Sequence, residues 1–508
     1  MGFLTRCAAS FAALLLPVVV LAQDVTLTAR GGGLVLDGAL QGFDGEFYRI
    51  ETRYGLLTVD GEGVICSGPG CPELTTRLAV IRITGAPEPG MRLLPPLIAG
   101  FAAGRGLIVR PDTATTGFAL TIVDGTTGQD LVKISFTPAP PEMARAAVAA
   151  GQAELVVAAR TETGLGERLL GLDALIPIVA ANNPFPQIST ADLARVLVGE
   201  VDNWQVLGGP DMPLVLHALD PGASLQQALE ARLGRPVAAQ ITHPDQATLA
   251  EAVARDPWAL AIIGQSARGP ARALPMTDSC GFPLIPSRLA VKAEDYPLSL
   301  PFYLLTPRRR LPLFAREFLD FLALPAAQDL VSAAGYVDRL AERQPLTADG
   351  LRLINAIRGS GDEISLTDLK RLADAMAGAD RLSLTFRFED GSSTLDAHSR
   401  VNLDDLARLL AVGTFRGMNL VLAGFSDGSG DAAANLALSR ARAEAVAAAL
   451  NAALPDLPDD QTLPRIEAFG EALPMACDAT SGGRRVNRRV ELWLRPVLGV
   501  VIKDSQTP

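Results

Sequence analysis

Three histidines, His217, His243 and His398, are all that the 508-residue chain holds, and they share no local motif. That scarcity excludes most His-ligated metal centres and most His-based acid–base pairs. Neither His-Glu-x-x-His nor a phosphate-cradling Gly-Lys-Ser/Thr loop occurs, which removes two common routes to hydrolysis and nucleotide binding. Basic residues are outnumbered, 45 against 56 acidic ones, and are scattered without a basic stripe. Phosphate contacts of the kind that hold nucleic acid are therefore not expected. Of the five cysteines, the pair Cys66 and Cys71 has no second Cys or His pair nearby to complete a zinc site. These absences point to a binding protein with no enzymatic activity, no metal and no cofactor.

What is present begins with "MGFLTR" and the apolar run "CAASFAALLLPVVVLA". A single positive charge, an apolar core and a small-residue exit at Ala22 predict a secretory signal peptide over residues 1–22. The run is interrupted by Pro17 and falls short of the roughly 20 residues a spanning helix needs, so no transmembrane segment is expected after cleavage. Cys66 and Cys71 flank a Gly-Pro turn in "CSGPGC", which suits a short disulfide-closed loop in an oxidising compartment. Cys280 and Cys477 fall in what read as separate domains and are left unpaired.

The chain is too long for one core. Residues 23–77 alternate apolar and polar positions in short runs such as "VTLTAR" and "EFYRIETRYGLLTVDG", the period of a small antiparallel β module. From 78 to 345, buried-strand runs ("LAVIRIT", "AELVVAA", "ALAIIG") alternate with helical stretches ("ISTADLARVLVG", "SLQQALEARLG"). That alternation predicts an α/β domain with mainly parallel strands, large enough for two lobes. Residues 346–380 read as a helical connector, 381–496 as an α/β sandwich domain, and 497–508 as a tail that ends in polar residues.

The middle segment resembles the PstS-like phosphate-binding proteins of ABC transporters. The resemblance rests on "LDALIPIVAANNPFPQISTADLARVLVG" (172–199), Asn203-Trp204 before Gly208-Gly209, "DPWALAIIG" (256–264), "YPLSLPFYLLT" (296–306) and "FLDFLALPAAQDLVSAAGYV" (318–337), in the family's order. It implies two lobes closing on an anion in the cleft, with delivery to an ABC permease as the partner. Thr84, Glu154, Arg160 and Ser224 occupy positions the resemblance assigns to solute binding. Ala218 stands at the family's Arg and Gly222 at its Ser; each lost charge-assisted bond removes about 1.5–3 kcal/mol. Other readings of the same residues are Ser224 as the cap of "SLQQALEARL" and Glu154 with Arg160 as a structural ion pair.

The C-terminal segment is similar to the OmpA-like domain that attaches envelope proteins to peptidoglycan. "FRFEDGSSTLD" (386–396), "GFSDGSGDAAANLALSRARAEAV" (424–446), "FGEALP" (469–474) and "GRRVNRRVELWL" (483–494) carry the match. The helix expected from near Asp431 shows apolar spacing at Leu436, Leu438, Ala441, Ala445, Val446 and Leu450. The resemblance makes Asp427 and Arg442 a clamp for the ammonium and carboxylate of a diaminopimelate stem peptide, with Asn435 and Arg488 along the same groove. Two positions depart from the family: Phe425 replaces a His and Ser426 a Thr. The expectation is a periplasmic protein held at the cell wall, binding phosphate or a related anion for uptake or sensing. The alternative is an envelope scaffold whose middle domain has lost its solute and binds a protein partner.

Overall fold

The computed structural model describes residues 23–43, 47–71, 78–346, 354, 364–389, 392–454 and 462–496. The expected signal peptide and tail lie outside these residues. Up to Leu78 the chain forms a unit of its own. In it β1 (Gln23–Ala29), β2 (Val35–Phe43), β3 (Phe47–Thr52), β4 (Gly55–Asp60) and β5 (Val64–Ser67) make an antiparallel sheet in the order β4-β3-β2-β1-β5. Strand alternation buries Val25, Leu27, Tyr48, Ile50 and Val64 on one face. A disulfide joins Cys66 and Cys71, with Cα atoms 5.8 Å apart.

From Ala79 onward the chain is one compact unit. Its first part contains β6 (Ala79–Gly85), α1 (Pro87–Ala103), β7 (Leu107–Asp112), β8 (Phe118–Asp124), β9 (Asp130–Pro138), α2 (Pro141–Ala149), β10 (Leu155–Ala158) and β11 (Gly166–Val179). Then come β12 (Ile188–Ser189), α3 (Thr190–Leu197), β13 (Val215–Leu219), α4 (Ser224–Leu233), β14 (Ile241–His243), α5 (Gln246–Arg255), β15 (Ala259–Gly264) and β16 (Arg272–Ala273). The domain ends with β17 (Met276–Thr277), β18 (Pro283–Leu284), α6 (Arg288–Lys292), β19 (Ser299–Thr306), α7 (Leu313–Phe321) and α8 (Pro325–Ala333).

The main sheet runs β14-β13-β15-β11-β19-β10-β6-β9-β8-β7. Helical crossovers make β9-β6-β10 and β14-β13-β15 parallel, while hairpins make β7-β8-β9 antiparallel. The sheet is thus more mixed than the expected parallel one. The first half of β11 pairs β19 and its second half pairs β15, so this strand belongs to both lobes. It is buried from Leu169 to Val179 and accordingly reads as an unbroken apolar run, apart from Asp173. Gly85 ends β6 at φ 122°, where a Cβ would come within 2.1 Å of the Val157 carbonyl; only glycine lets the chain turn there into α1.

The C-terminal part comprises β20 (Arg343–Pro345), α9 (Leu366–Met376), β21 (Asp380–Phe386), α10 (Ala397–Ala411), β22 (Met418–Phe425), α11 (Ala432–Ala453), β23 (Arg465–Ala468), α12 (Ser481–Asn487) and β24 (Arg489–Pro496). The sheet order is β20-β21-β24-β22-β23. Residues 343–345 therefore belong to this sheet and not to the middle domain, to which sequence reading assigned them. One face packs Leu382, Leu384, Phe386 and Leu492 against α10 and α11 through Leu406, Leu410, Val446 and Leu450. The other holds Phe425, Phe469 and Trp493 under Leu372 and Met376 of α9, so the described part of the connector is a covering layer.

The two domains of this unit are joined across a polar seam. Cys280 and Cys477, left unpaired in the sequence reading, form a disulfide with Cα atoms 5.5 Å apart, because docking brings the β17–β18 turn against the C-terminal domain. Asp278 accepts from Cys477 N at 2.8 Å beside it. Asp295 receives Arg381 Nη1 at 2.6 Å and Arg387 Nη2 at 3.0 Å, all three buried. Arg339 donates to Asp405 at 2.9 Å, Arg408 to the Ala323 carbonyl at 3.2 Å and Arg400 Nε to Glu167 at 3.1 Å.

Candidate functional site

β22 ends by pressing against α11. A Cβ on Gly424 would sit 2.1 Å from the Ser439 carbonyl, so the glycine permits the close approach that sets the following loop. Asp431 caps α11, accepting from Ala433 N at 2.7 Å and Ala434 N at 3.0 Å. The buried stripe of α11 is Asn435, Ser439, Ala443, Val446 and Leu450. That corrects the expected apolar face, since Leu438 is exposed. Ser439 accepts from Gly470 N at 3.0 Å and Asn435 donates to Glu471 at 2.7 Å. Two polar side chains thus fill the stripe because loop 469–471 lies over it.

Asp427 is buried at the loop, where its carboxylate accepts from Ser429 N and from Arg488 Nη1, each at 3.1 Å. Burial is the largest single influence and opposes its charge, but the bonds from Arg488 and Ser429 together outweigh it and hold the carboxyl below its usual range. Arg442 stands over the Phe388 ring, 5.8 Å from its centre. Its Nη1 is buried and has no hydrogen-bond partner among the described residues. Burial first, then Arg488, push its pKa down, while Asp427 pulls it up. Asp427, Arg442 and Arg488 therefore share one electrostatic neighbourhood, whereas the Asn435 amide is turned to Glu471. Asp478 and Asn487, which carry no sequence signal, hold the loop: Asp478 accepts from Gly428 N at 2.8 Å and from Asn487 Nδ2 at 2.8 Å. Residues Gly424–Gly428 also spell Gly-x-Ser-x-Gly, but the Ser426 hydroxyl is buried without a hydrogen-bond partner among the described residues. No base among the described residues is bonded to it, as an activated serine nucleophile would require.

The four residues assigned to solute binding do not converge. Thr84 donates to the Thr137 carbonyl at 2.9 Å. Glu154, at the start of β10, accepts from Arg82 N and Nη2, both at 2.7 Å, with Arg309 at 3.7 Å. Its ion-pair partner is thus Arg82 and not Arg160, which lies exposed beyond the other end of β10. Ser224 is the first residue of α4 and not its cap; the Asp220–Ala223 turn puts Ala223 in that place. Glu88 on α1 accepts from Gln246 N at 3.0 Å and from the Gln246 side-chain amide, filling the N-terminus of α5 with a carboxylate from the other lobe. Burial pushes the Glu88 pKa up in spite of these bonds. Arg92 adds bonds to the Ser266 and Ala334 carbonyls, both at 2.9 Å.

Two family models match, the PBP superfamily domain over residues 122–325 and the OmpA family over 387–488. The chain joins a PBP-like domain to an OmpA domain. The chain is 34% identical over 113 residues to the outer membrane porin F of Pseudomonas fluorescens, covering 22% of this chain and 32% of that protein. It is 32% identical over 110 residues to the probable lipoprotein YiaD of Escherichia coli strain K12, covering 22% of this chain and 48% of that protein. The chain thus spans a third to a half of the length of these curated relatives. Among solved structures, an ABC-type phosphate transport receptor from Vibrio cholerae matches at 16% identity and TM-score 0.40, covering 51% of this chain and 99% of that one. A putative phosphate ABC transporter substrate-binding protein from Clostridium perfringens, with bound phosphate, matches at 19% identity and TM-score 0.39, covering 51% and 99%.

Proposed function

We propose that the chain is a periplasmic envelope protein held to peptidoglycan through its OmpA domain, with Asp427, Arg442 and Arg488 gripping the zwitterionic end of a diaminopimelate side chain. The buried, unpartnered Nη1 of Arg442 beside Asp427 carries this reading. A guanidinium held in place without an acceptor gains a charge-assisted pair when a carboxylate arrives. Asp427 receives the ammonium, and Arg488 keeps the aspartate ionised for it. Sedimentation of the full chain with purified diaminopimelate-type sacculi tests the clamp. Asp427→Asn and Arg442→Ala should each weaken binding at least tenfold; co-sedimentation of both like the wild type would sink the reading.

The PBP-like domain then stands at the wall as a fixed module. Thr84, Glu154 and the N-terminus of α5 are engaged by the chain's own groups. The OmpA domain is bonded to both lobes, through Cys280 in one and Glu167 and Ala323 in the other. Hinge opening of the transport type would have to break such ties. These observations favour a scaffold or fixed recognition role over a phosphate receptor serving an ABC permease. Calorimetric titration with orthophosphate separates the two, since micromolar binding would restore the receptor reading.

A further inference from the structure

A cavity of about 930 Å³ lies at the seam between the PBP-like and OmpA domains. Its wall includes Arg160 beyond β10 and Arg232 of α4 from the first domain, and Arg484, Arg485 and Arg488 from the second. The carboxylates on the same wall are already engaged. Glu294, whose backbone has a φ of 53°, faces His398 at 3.4 Å and Arg387 at 4.0 Å. Glu389 lies 3.7 Å from Arg400, and Asp396 caps α10 and lies 4.0 Å from Arg485. Arg160 and Arg232 have no carboxylate partner among the described residues. Arg232 donates to the Ala228 and Ser299 carbonyls, and Arg484 to the Asp478 carbonyl.

Arg232 is set deep among protein atoms yet keeps its surface open to the cavity. Burial first disfavours its charge; the Glu294 carboxylate acts against that, while Arg485 and Arg160 add to it. Arg485 and Arg160 are therefore each close enough to repel Arg232, and all three line the same cavity. Like charges held together in a protein-walled void are costly until an anion bridges them. Guanidiniums are suited to this because each can grip an oxyanion with two parallel bonds.

We propose that this cavity binds an oligoanion, a ligand with two or more carboxylate or phosphate groups, held jointly by Arg160 and Arg232 of the PBP-like domain and Arg484 and Arg485 of the OmpA domain. The site is composite, so neither domain supplies it alone, and it lies apart from the donors of α5 that Glu88 occupies. Arg488 lines the cavity and also holds Asp427, so the site adjoins the proposed clamp. The acid groups have two sources, a free solute or the carboxylates of a stem peptide.

The test is calorimetric titration of the full chain with inorganic pyrophosphate, with citrate and with a soluble diaminopimelate stem tripeptide. At least one probe should bind saturably, and Arg160→Gln and Arg485→Gln should each weaken it at least tenfold. Both side chains are exposed, so the variants should fold, and superimposable thermal unfolding curves would verify it. Repeating the tripeptide titration in Arg442→Ala, which removes a clamp residue that is not part of the cavity wall, separates the sources. Residual binding that Arg485→Gln weakens assigns the acid groups to the wall; binding of pyrophosphate or citrate alone assigns them to a solute. No binding of any probe, or binding that both variants leave unchanged, overturns the proposal. The clamp fails separately, through unchanged binding of sacculi by both Asp427→Asn and Arg442→Ala.

Discussion

Ser439 shows how much of the proposed clamp depends on side chains outside it. Its hydroxyl accepts from Gly470 N and donates to the Leu436 carbonyl, fixing loop 469–471 on α11. Ser439→Ala would leave a buried N–H unsatisfied and should cost about 1–3 kcal/mol in denaturant unfolding. Gly424→Ala is expected to cost at least as much, because its Cβ must displace the Ser439 carbonyl. Asp427 and Arg442 were legible in the sequence because motif spacing along one strand, loop and helix is local. The Asp427–Arg488 bond was not, because it joins positions 61 residues apart whose meeting depends on how α12 packs. The Glu154–Arg82 pair was hidden for a related reason. A carboxylate placed by its position in the sequence says nothing about which nearer group has already claimed it.

Strands β21 and β24 carry the same lesson at the scale of the element. In each, apolar residues alternate with polar ones: Leu382, Leu384 and Phe386 with Arg381, Ser383 and Thr385, and Val490, Leu492 and Leu494 with Arg489 and Glu491. Period-two alternation is the mark of a sheet with one wet face, yet these polar side chains are buried. Arg489 Nε donates to Glu491 at 2.6 Å, Trp493 Nε1 donates to the same carboxylate at 2.9 Å, and Arg381 reaches from it toward Asp295 of the PBP-like domain. The alternation revealed the strands but not what covers them, since a charge read as solvated is equally a charge awaiting a partner. Asp295→Ala should strand Arg381 and Arg387 in the seam and cost about 3–5 kcal/mol, measured by chemical unfolding of the full chain.

For the molecule as a whole, the succession of domains was legible but their fusion into one unit was not, because seam contacts join positions far apart in sequence. The disulfide between Cys280 and Cys477 closes a loop 197 residues long, and the chain-entropy account gives it about 5 kcal/mol. Cys280→Ser with Cys477→Ser should lower the unfolding midpoint and split one transition into two. The seam should also respond to pH. Burial opposes protonation of His398, but Glu294 and Asp396 overcome it and raise its pKa, with Arg339 acting against them. Protonated His398 therefore stabilises the folded state fully below the ordinary value of about 6.5, and this is lost as pH rises through the elevated folded value. Glu294 is itself buried, yet His398 and Arg387 hold it down at about 2, so its contribution is full above 4.5 and fades as pH falls toward that value. The unfolding midpoint should drop as pH rises above about 6.5, and His398→Gln should flatten that slope.

The two disulfides have a consequence for how the chain is made. Cys66 pairs with Cys71 and Cys280 with Cys477, each with the next cysteine along the chain. A polypeptide appearing N-terminus first exposes the early pair together and then offers Cys280 no free thiol from the first loop once that has closed. The second bond waits until the OmpA domain has nearly finished emerging. Oxidation in order of appearance therefore yields the native linkages without reshuffling, and the late bond is made only by a chain whose last domain has already found its place against the first.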